Sequence, residues 1–156
     1  MKEIFYVELR EKIKEIEAIR HEQSQAESTQ CDNDLLSVMN LLMELSNVSR
    51  SEGLLALEET VHNFAYAPGA KYLIAMITQV VDGMEPELVE DINLTRYFSS
   101  NLKADNGLIF LMYLKGVLSL QTGENPRILE QKLKAMVPEN VVGAYEEKQG
   151  GTRKSV

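Results

Sequence analysis

The sequence predicts an all-α protein, and three observations carry that expectation. Apolar residues recur at three- and four-residue intervals in one segment after another, the pitch of an amphipathic helix. Glycine and proline fall between those segments rather than within them. No stretch alternates apolar and polar residues with β-branched enrichment, so strands find no support. With 44% hydrophobic and 26% charged residues in 156, the composition suits one domain with a real core. The expected architecture is a small helical bundle of stacked antiparallel helical hairpins, with an exposed amphipathic N-terminal helix.

The elements follow in order. Residues 2 to about 28 place Phe5, Leu9, Ile13 and Ile16 on one narrow stripe, with Glu8–Lys12 and Glu17–Arg20 spaced for helical ion pairs. From Gln23 the stripe fades, so residues 1–31 read as that helix plus a linker. Asp32 or Asn33 can cap a second helix carrying Leu35, Val38, Met39, Leu42 and Leu45. Gly53 marks a bend, with Ser51 as a cap for the next helix, which bears Leu54, Leu57, Val61 and Phe64. Ala67-Pro68-Gly69 breaks the chain before a fourth helix with Leu73, Met76, Ile77, Val80 and Val81, ended by Asp82-Gly83. Pro86 suits the first turn of a fifth helix with Leu88, Val89 and Ile92. Residues 105–121 are apolar nearly all round, which predicts the most buried element. Gly123 stops that helix, Pro126 opens a seventh with Leu129, Leu133 and Met136, and Pro138 closes it. Residues 32–140 thus form the helical domain, and 141–156 are expected to be a flexible tail.

An internal repeat is visible. Residues 77–90, ITQVVDGMEPELVE, align with residues 117–130, VLSLQTGENPRILE, at a shift of 40, so that Gly83 matches Gly123, Pro86 matches Pro126 and Glu90 matches Glu130. The implied unit is a buried helix, a glycine stop, a proline start and a second helix folded back, as in a short helical solenoid. Chance similarity between two generic helical turns is the alternative.

Composition narrows function as well. A net charge of −8 disfavours nucleic-acid backbones and anionic membrane surfaces. The longest apolar run, around Leu108–Leu114, is far short of the ~20 residues of a membrane span. The N-terminus mixes charges from its second residue, unlike a signal peptide. A lone cysteine, Cys31, cannot form an internal disulfide and fits a reducing, cytoplasmic setting. His21 and His62 sit among polar residues with no nucleophile–base–carboxylate arrangement around them or Cys31. Glu59 and His62 form one Glu-x-x-His, where di-iron carboxylate bundles use two. Gly69, Gly83, Gly107 and Gly123 stand alone and make no phosphate cradle. No catalytic, cofactor or metal site is therefore expected. Seven methionines, Met39, Met43, Met76, Met84 and Met112 among them, read as core filling, with an adaptable binding groove as the alternative.

Two motifs are more specific. Residues 41–59, LLMELSNVSRSEGLLALEE, contain Arg-x-x-Gly-(apolar)-x-x-Leu-Glu, and residues 80–90, VVDGMEPELVE, contain apolar-Asp-Gly-x-x-Pro-Glu. In order and separation they resemble two cytoplasmic signatures of the flagellar stator family MotA, over roughly residues 34–93. In that family an arginine and a glutamate eight residues apart engage charged groups on the rotor protein FliG. The resemblance maps those roles onto Arg50 and Glu58. The chain departs from the family where membrane helices should stand: a charged helix precedes the match, and the second Gly-x-x-Pro copy follows it. Ion conduction is excluded by that departure.

The resulting expectation is a soluble protein–protein interaction domain that contacts a FliG-type rotor protein through Arg50 and Glu58. A general helical scaffold or regulatory adaptor is the alternative. The N-terminal helix, whose stripe is left over once the bundle is assigned, is the expected surface for homo-oligomer formation.

Overall fold

The computed structural model describes residues 2–20, 22 and 25–154. Among the described residues there are eight helices: α1 (Lys2–Arg20), α2 (Gln25–Glu52), α3 (Ala56–His62), α4 (Ala70–Val81), α5 (Pro86–Ser100), α6 (Ala104–Gln121), α7 (Pro126–Met136) and α8 (Glu139–Lys154). No strand occurs among the described residues, and no helix there is long and apolar enough to cross a membrane.

Helix α6 is the axis. Gly107 to Leu114 are buried without interruption, and Gly116, Val117, Ser119 and Leu120 extend the buried surface. Such a helix needs neighbours on every side, and α1, α2, α4, α5 and α7 all pack against it. Two glycines set how closely. A Cβ on Gly116 would lie 2.6 Å from a Leu42 methyl, and one on Gly107 would lie 2.7 Å from the Lys12 stem. Helix α2 presses on the first position and α1 on the second.

The anticipated core is largely in place. Leu35, Val38, Met39, Leu42 and Leu45 of α2, Leu57 and Val61 of α3, Leu73, Met76, Ile77 and Val80 of α4, and Leu129, Leu133 and Met136 of α7 are buried. On α5 only Val89 of the expected trio is buried, joined by Asn93, Leu94 and Tyr97; Leu88 is 46% exposed. The buried Asn93 amide donates to Gln79 Oε1 and to the Val89 carbonyl, both at 2.7 Å, which satisfies it and ties α5 to α4.

The two Gly–Pro turns match in detail. After α4, the Gly83 N–H bonds the Val80 carbonyl and the Met84 N–H bonds that of Gln79; after α6, Gly123 bonds Leu120 and Glu124 bonds Ser119. Both are Schellman closures, which need the left-handed conformation that glycine adopts without steric cost, here φ +89° and +69°. Each proline then opens the next helix, and the burial pattern from 81 to 90 repeats from 121 to 130. The repeat in sequence is thus a repeat in structure.

Several expectations need correction. Helix α2 starts at Gln25, ahead of the caps expected at Asp32 and Asn33. Asp32 serves instead as a junction: Arg20 pairs with one carboxylate oxygen, and Asn140 of α8 donates to the other at 2.6 Å. Ser51 bonds back to the Asn47 carbonyl rather than capping α3. Segment 141–156, expected as a flexible tail, is helical as far as Lys154, because Val141 and Tyr145 are buried and the Tyr145 hydroxyl donates to Glu130 at 2.8 Å.

Helix α1 is amphipathic with Ile4, Tyr6 and Val7 exposed, but its apolar stripe is not left over. Phe5 and Ile16 pack into the core. Lys12, 8% exposed, turns inward rather than pairing with Glu8, donating to the Leu102 carbonyl at 2.7 Å and to Glu15 at 3.2 Å. Glu15 accepts from the Ala104 N–H at 2.9 Å, an orphan donor at the start of α6. The pair clamps the α5–α6 connection, where Asn101 and Ala104 both take positive φ.

Two predictions follow from this packing. Gly116→Ala is expected to cost about 1–3 kcal/mol in urea unfolding, and Leu42→Ala should cost less in that background than in the wild type, since it removes the clashing methyls. The amide bond to Ala104 is the largest influence holding the Glu15 pKa below its ordinary value of 4.5, with Lys12 adding to it. A depressed folded pKa contributes stability above the unfolded value that is lost as pH falls through the folded one. Glu15→Gln should therefore lower stability near neutral pH and flatten its acid dependence below 4.5.

Candidate interaction surface

Arg50 lies in the last turn of α2 and Glu58 in the first turn of α3, on either side of Gly53. An unbroken helix would set residues eight apart about 12 Å along one axis. Gly53, at φ +92°, ends that axis, and its N–H closes on the Ser49 carbonyl at 2.9 Å. Helix α3 then folds back against α2 and α4, with Leu57 and Val61 buried. The tip of this hairpin consequently presents Arg50, Glu52, Glu58 and Glu59 to solvent. Among the described residues, no ion pair engages the Arg50 guanidinium or the Glu58 carboxylate.

Leu55 joins these charges. It occupies the N-cap position of α3 and is 76% exposed, although neighbouring Leu57 is fully buried. Sequence reasoning missed it, yet a signal was present: Leu55 lies off the Leu54–Leu57–Val61 stripe, so the helix has no buried side for it. Tyr66, 82% exposed in the turn before α4, is a second apolar group outside the core. The turn itself is held from inside, because Tyr113 of α6 donates its hydroxyl to the Pro68 carbonyl at 2.5 Å. Burial pushes the Tyr113 pKa well above the ordinary value of 10, so that hydroxyl keeps its proton and remains a donor.

The remaining candidates are dispersed. His62 is exposed, with Nδ1 2.6 Å from the Glu58 carbonyl oxygen one turn earlier. His21 lies outside the described residues. Cys31 sits partly buried near the start of α2, away from His62 on α3. No cluster of three or more His, Cys, Asp or Glu able to hold a metal occurs among the described residues. Met39, Met76 and Met112 are buried in the core, and Met43 and Met84 pack partly buried against it.

No protein-family model matches this chain. Comparison with curated proteins likewise yields no match.

Because Arg50 and Glu58 contribute nothing to the core, Arg50→Ala and Glu58→Ala should each shift unfolding free energy by less than about 0.5 kcal/mol. Chemical denaturation of the two variants checks this and qualifies them for binding experiments.

Proposed function

We propose that this chain is a protein-interaction module, related to the cytoplasmic part of the MotA stator family, that docks a FliG-type rotor protein through Arg50 and Glu58. The observation that carries the reading is the α2–α3 tip. It places an unengaged cation and an unengaged carboxylate at solvent on opposite sides of one glycine bend. Charges so placed add little to stability. They are suited to steering and orienting a partner of complementary pattern, an acidic group meeting Arg50 and a basic group meeting Glu58. The two quoted motifs support the rotor as that partner, since they surround this tip and the turn before α5.

In this reading the chain acts by contact alone. A domain without a membrane helix would engage a rotor protein without conducting ions, so it would modulate or occupy the rotor surface rather than drive it.

The test is binding of purified FliG-type rotor protein to the wild type, Arg50→Glu and Glu58→Lys. Each reversal should weaken binding about tenfold, which corresponds to ~1.4 kcal/mol. Binding unaffected by both reversals, or absent in the wild type, would overturn the reading and favour a general helical scaffold.

A further inference from the structure

Asn106-Gly107 is the one asparagine–glycine step in the chain; every other asparagine precedes Asp, Val, Phe, Leu or Pro. An asparagine in that position loses its side-chain amide readily, because glycine puts no Cβ beside the backbone nitrogen that attacks it. Packing leaves no alternative to glycine here. A Cβ at 107 would lie 2.7 Å from Cδ and from Cε of Lys12. Lys12 has no freedom to withdraw, since its ammonium is held by the Leu102 carbonyl and by Glu15. The close approach of α1 thus requires the residue that makes Asn106 labile.

Helical backbone protects the asparagine, because cyclisation needs the Gly107 nitrogen released and the chain turned out of helical ψ. The first turn of α6 is weakly closed by itself. No side chain caps it. The Gly107 N–H reaches the Lys103 carbonyl only at 3.4 Å and shares that acceptor with the Asn106 N–H at 3.1 Å. Ala104, the first residue of the helix, takes φ +47°, which is unfavourable for a residue bearing a Cβ. The hold comes from α1: Glu15 accepts from the Ala104 N–H at 2.9 Å, and Lys12 donates to the Leu102 carbonyl at 2.7 Å. Without them the turn loses the contacts that offset its backbone strain.

We propose that Asn106 is a modification site gated by α1. Docked, α1 preserves the asparagine; lifted off, it lets the first turn of α6 open and Asn106 convert to aspartate and isoaspartate. In the open turn the Gly107 nitrogen attacks Asn106 Cγ. The new N–C bond closes a cyclic imide, and the side-chain amide leaves as ammonia with the proton from the Gly107 nitrogen. Water then opens the ring at either carbonyl, giving aspartate or isoaspartate, and no oxidant or reductant takes part. Isoaspartate adds a methylene to the backbone beside the position on which Lys12 packs, so α1 does not return to its original register. The chain thereby keeps a lasting record of α1 undocking. This inference is independent of the rotor contact, which lies at the α2–α3 tip.

Incubation of the full chain at mildly alkaline pH tests it. Trypsin releases the site as the peptide Ala104–Lys115, whose mass reports the exchange of NH for oxygen. The folded wild type should convert at least about tenfold more slowly than the same chain unfolded in guanidinium chloride. Glu15→Ala removes the Ala104 contact, and Lys12→Met keeps the stem but not the bond to Leu102. Each should raise the folded rate at least about threefold. Val141→Ala loosens α8 instead and should stay within about twofold of the wild type. Circular dichroism verifies that the variants are folded, and Asn106→Gln should leave the peptide mass unchanged. A wild type equally labile folded and unfolded, or α1 variants no faster than wild type, would overturn the proposal. So would a Val141→Ala rate matching theirs, or conversion that persists in Asn106→Gln.

Discussion

A helix that is apolar on every side cannot sit at a surface, and in this chain that constraint falls on α6. Its buried run from Gly107 to Leu114 recruits five other helices as cover. The glycines decide how the cover fits. At Gly116 the absent side chain lets Leu42 bring α2 close, and at Gly107 the same absence makes room for the methylene stem of Lys12. Packing of this kind loses its partners when a methyl is added, because native interiors hold little spare volume. The other helices are placed by what α6 offers; α3 is placed at one remove, through α2 and α4, and α8 through α2 and α7.

The buried lysine shows how packing and polarity are reconciled. A charge 8% exposed is costly unless hydrogen-bonded and paired. Lys12 finds the Leu102 carbonyl at the end of α5 and the Glu15 carboxylate, while Glu15 caps the first amide of α6. One i,i+3 pair on α1 thereby satisfies backbone groups at two helix ends that no local side chain caps. Leaving one partner without the other would strand a charge or an amide, so α1 belongs to the fold rather than decorating it.

What was legible in the sequence was local. The stripes of α2, α4 and α7, the all-round apolarity of α6, and the stops at Gly53, Gly83 and Gly123 depend on residues a few positions apart, and the structure places them as read. Long-range choices were illegible. Lys12 was spaced for Glu8 but meets Leu102, 90 residues on, and Arg20 was spaced for Glu17 but meets Asp32. Asp32 resembles a helix cap until Asn140 and Arg20 converge on it. Segment 141–154 lacked a periodic stripe, yet two residues, Val141 and Tyr145 at i,i+4, suffice to dock it. The exposure of Arg50 and Glu58 followed from their polarity, whereas that of Leu55, Leu88 and Ile128 could be found only by asking which apolar residues no buried face would accept.

Those residues also separate the two surfaces by physical character. At the α2–α3 tip, one strongly exposed leucine stands among charges at the end of a short hairpin, a geometry that favours transient, orientation-sensitive contact. At the Gly–Pro end, two half-buried aliphatic residues are backed by rigid Schellman turns and flanked by opposite charges. The two equivalent turns, with Glu87 after one and Arg127 after the other, leave Leu88 and Ile128 off the core that Val89 and Leu129 join.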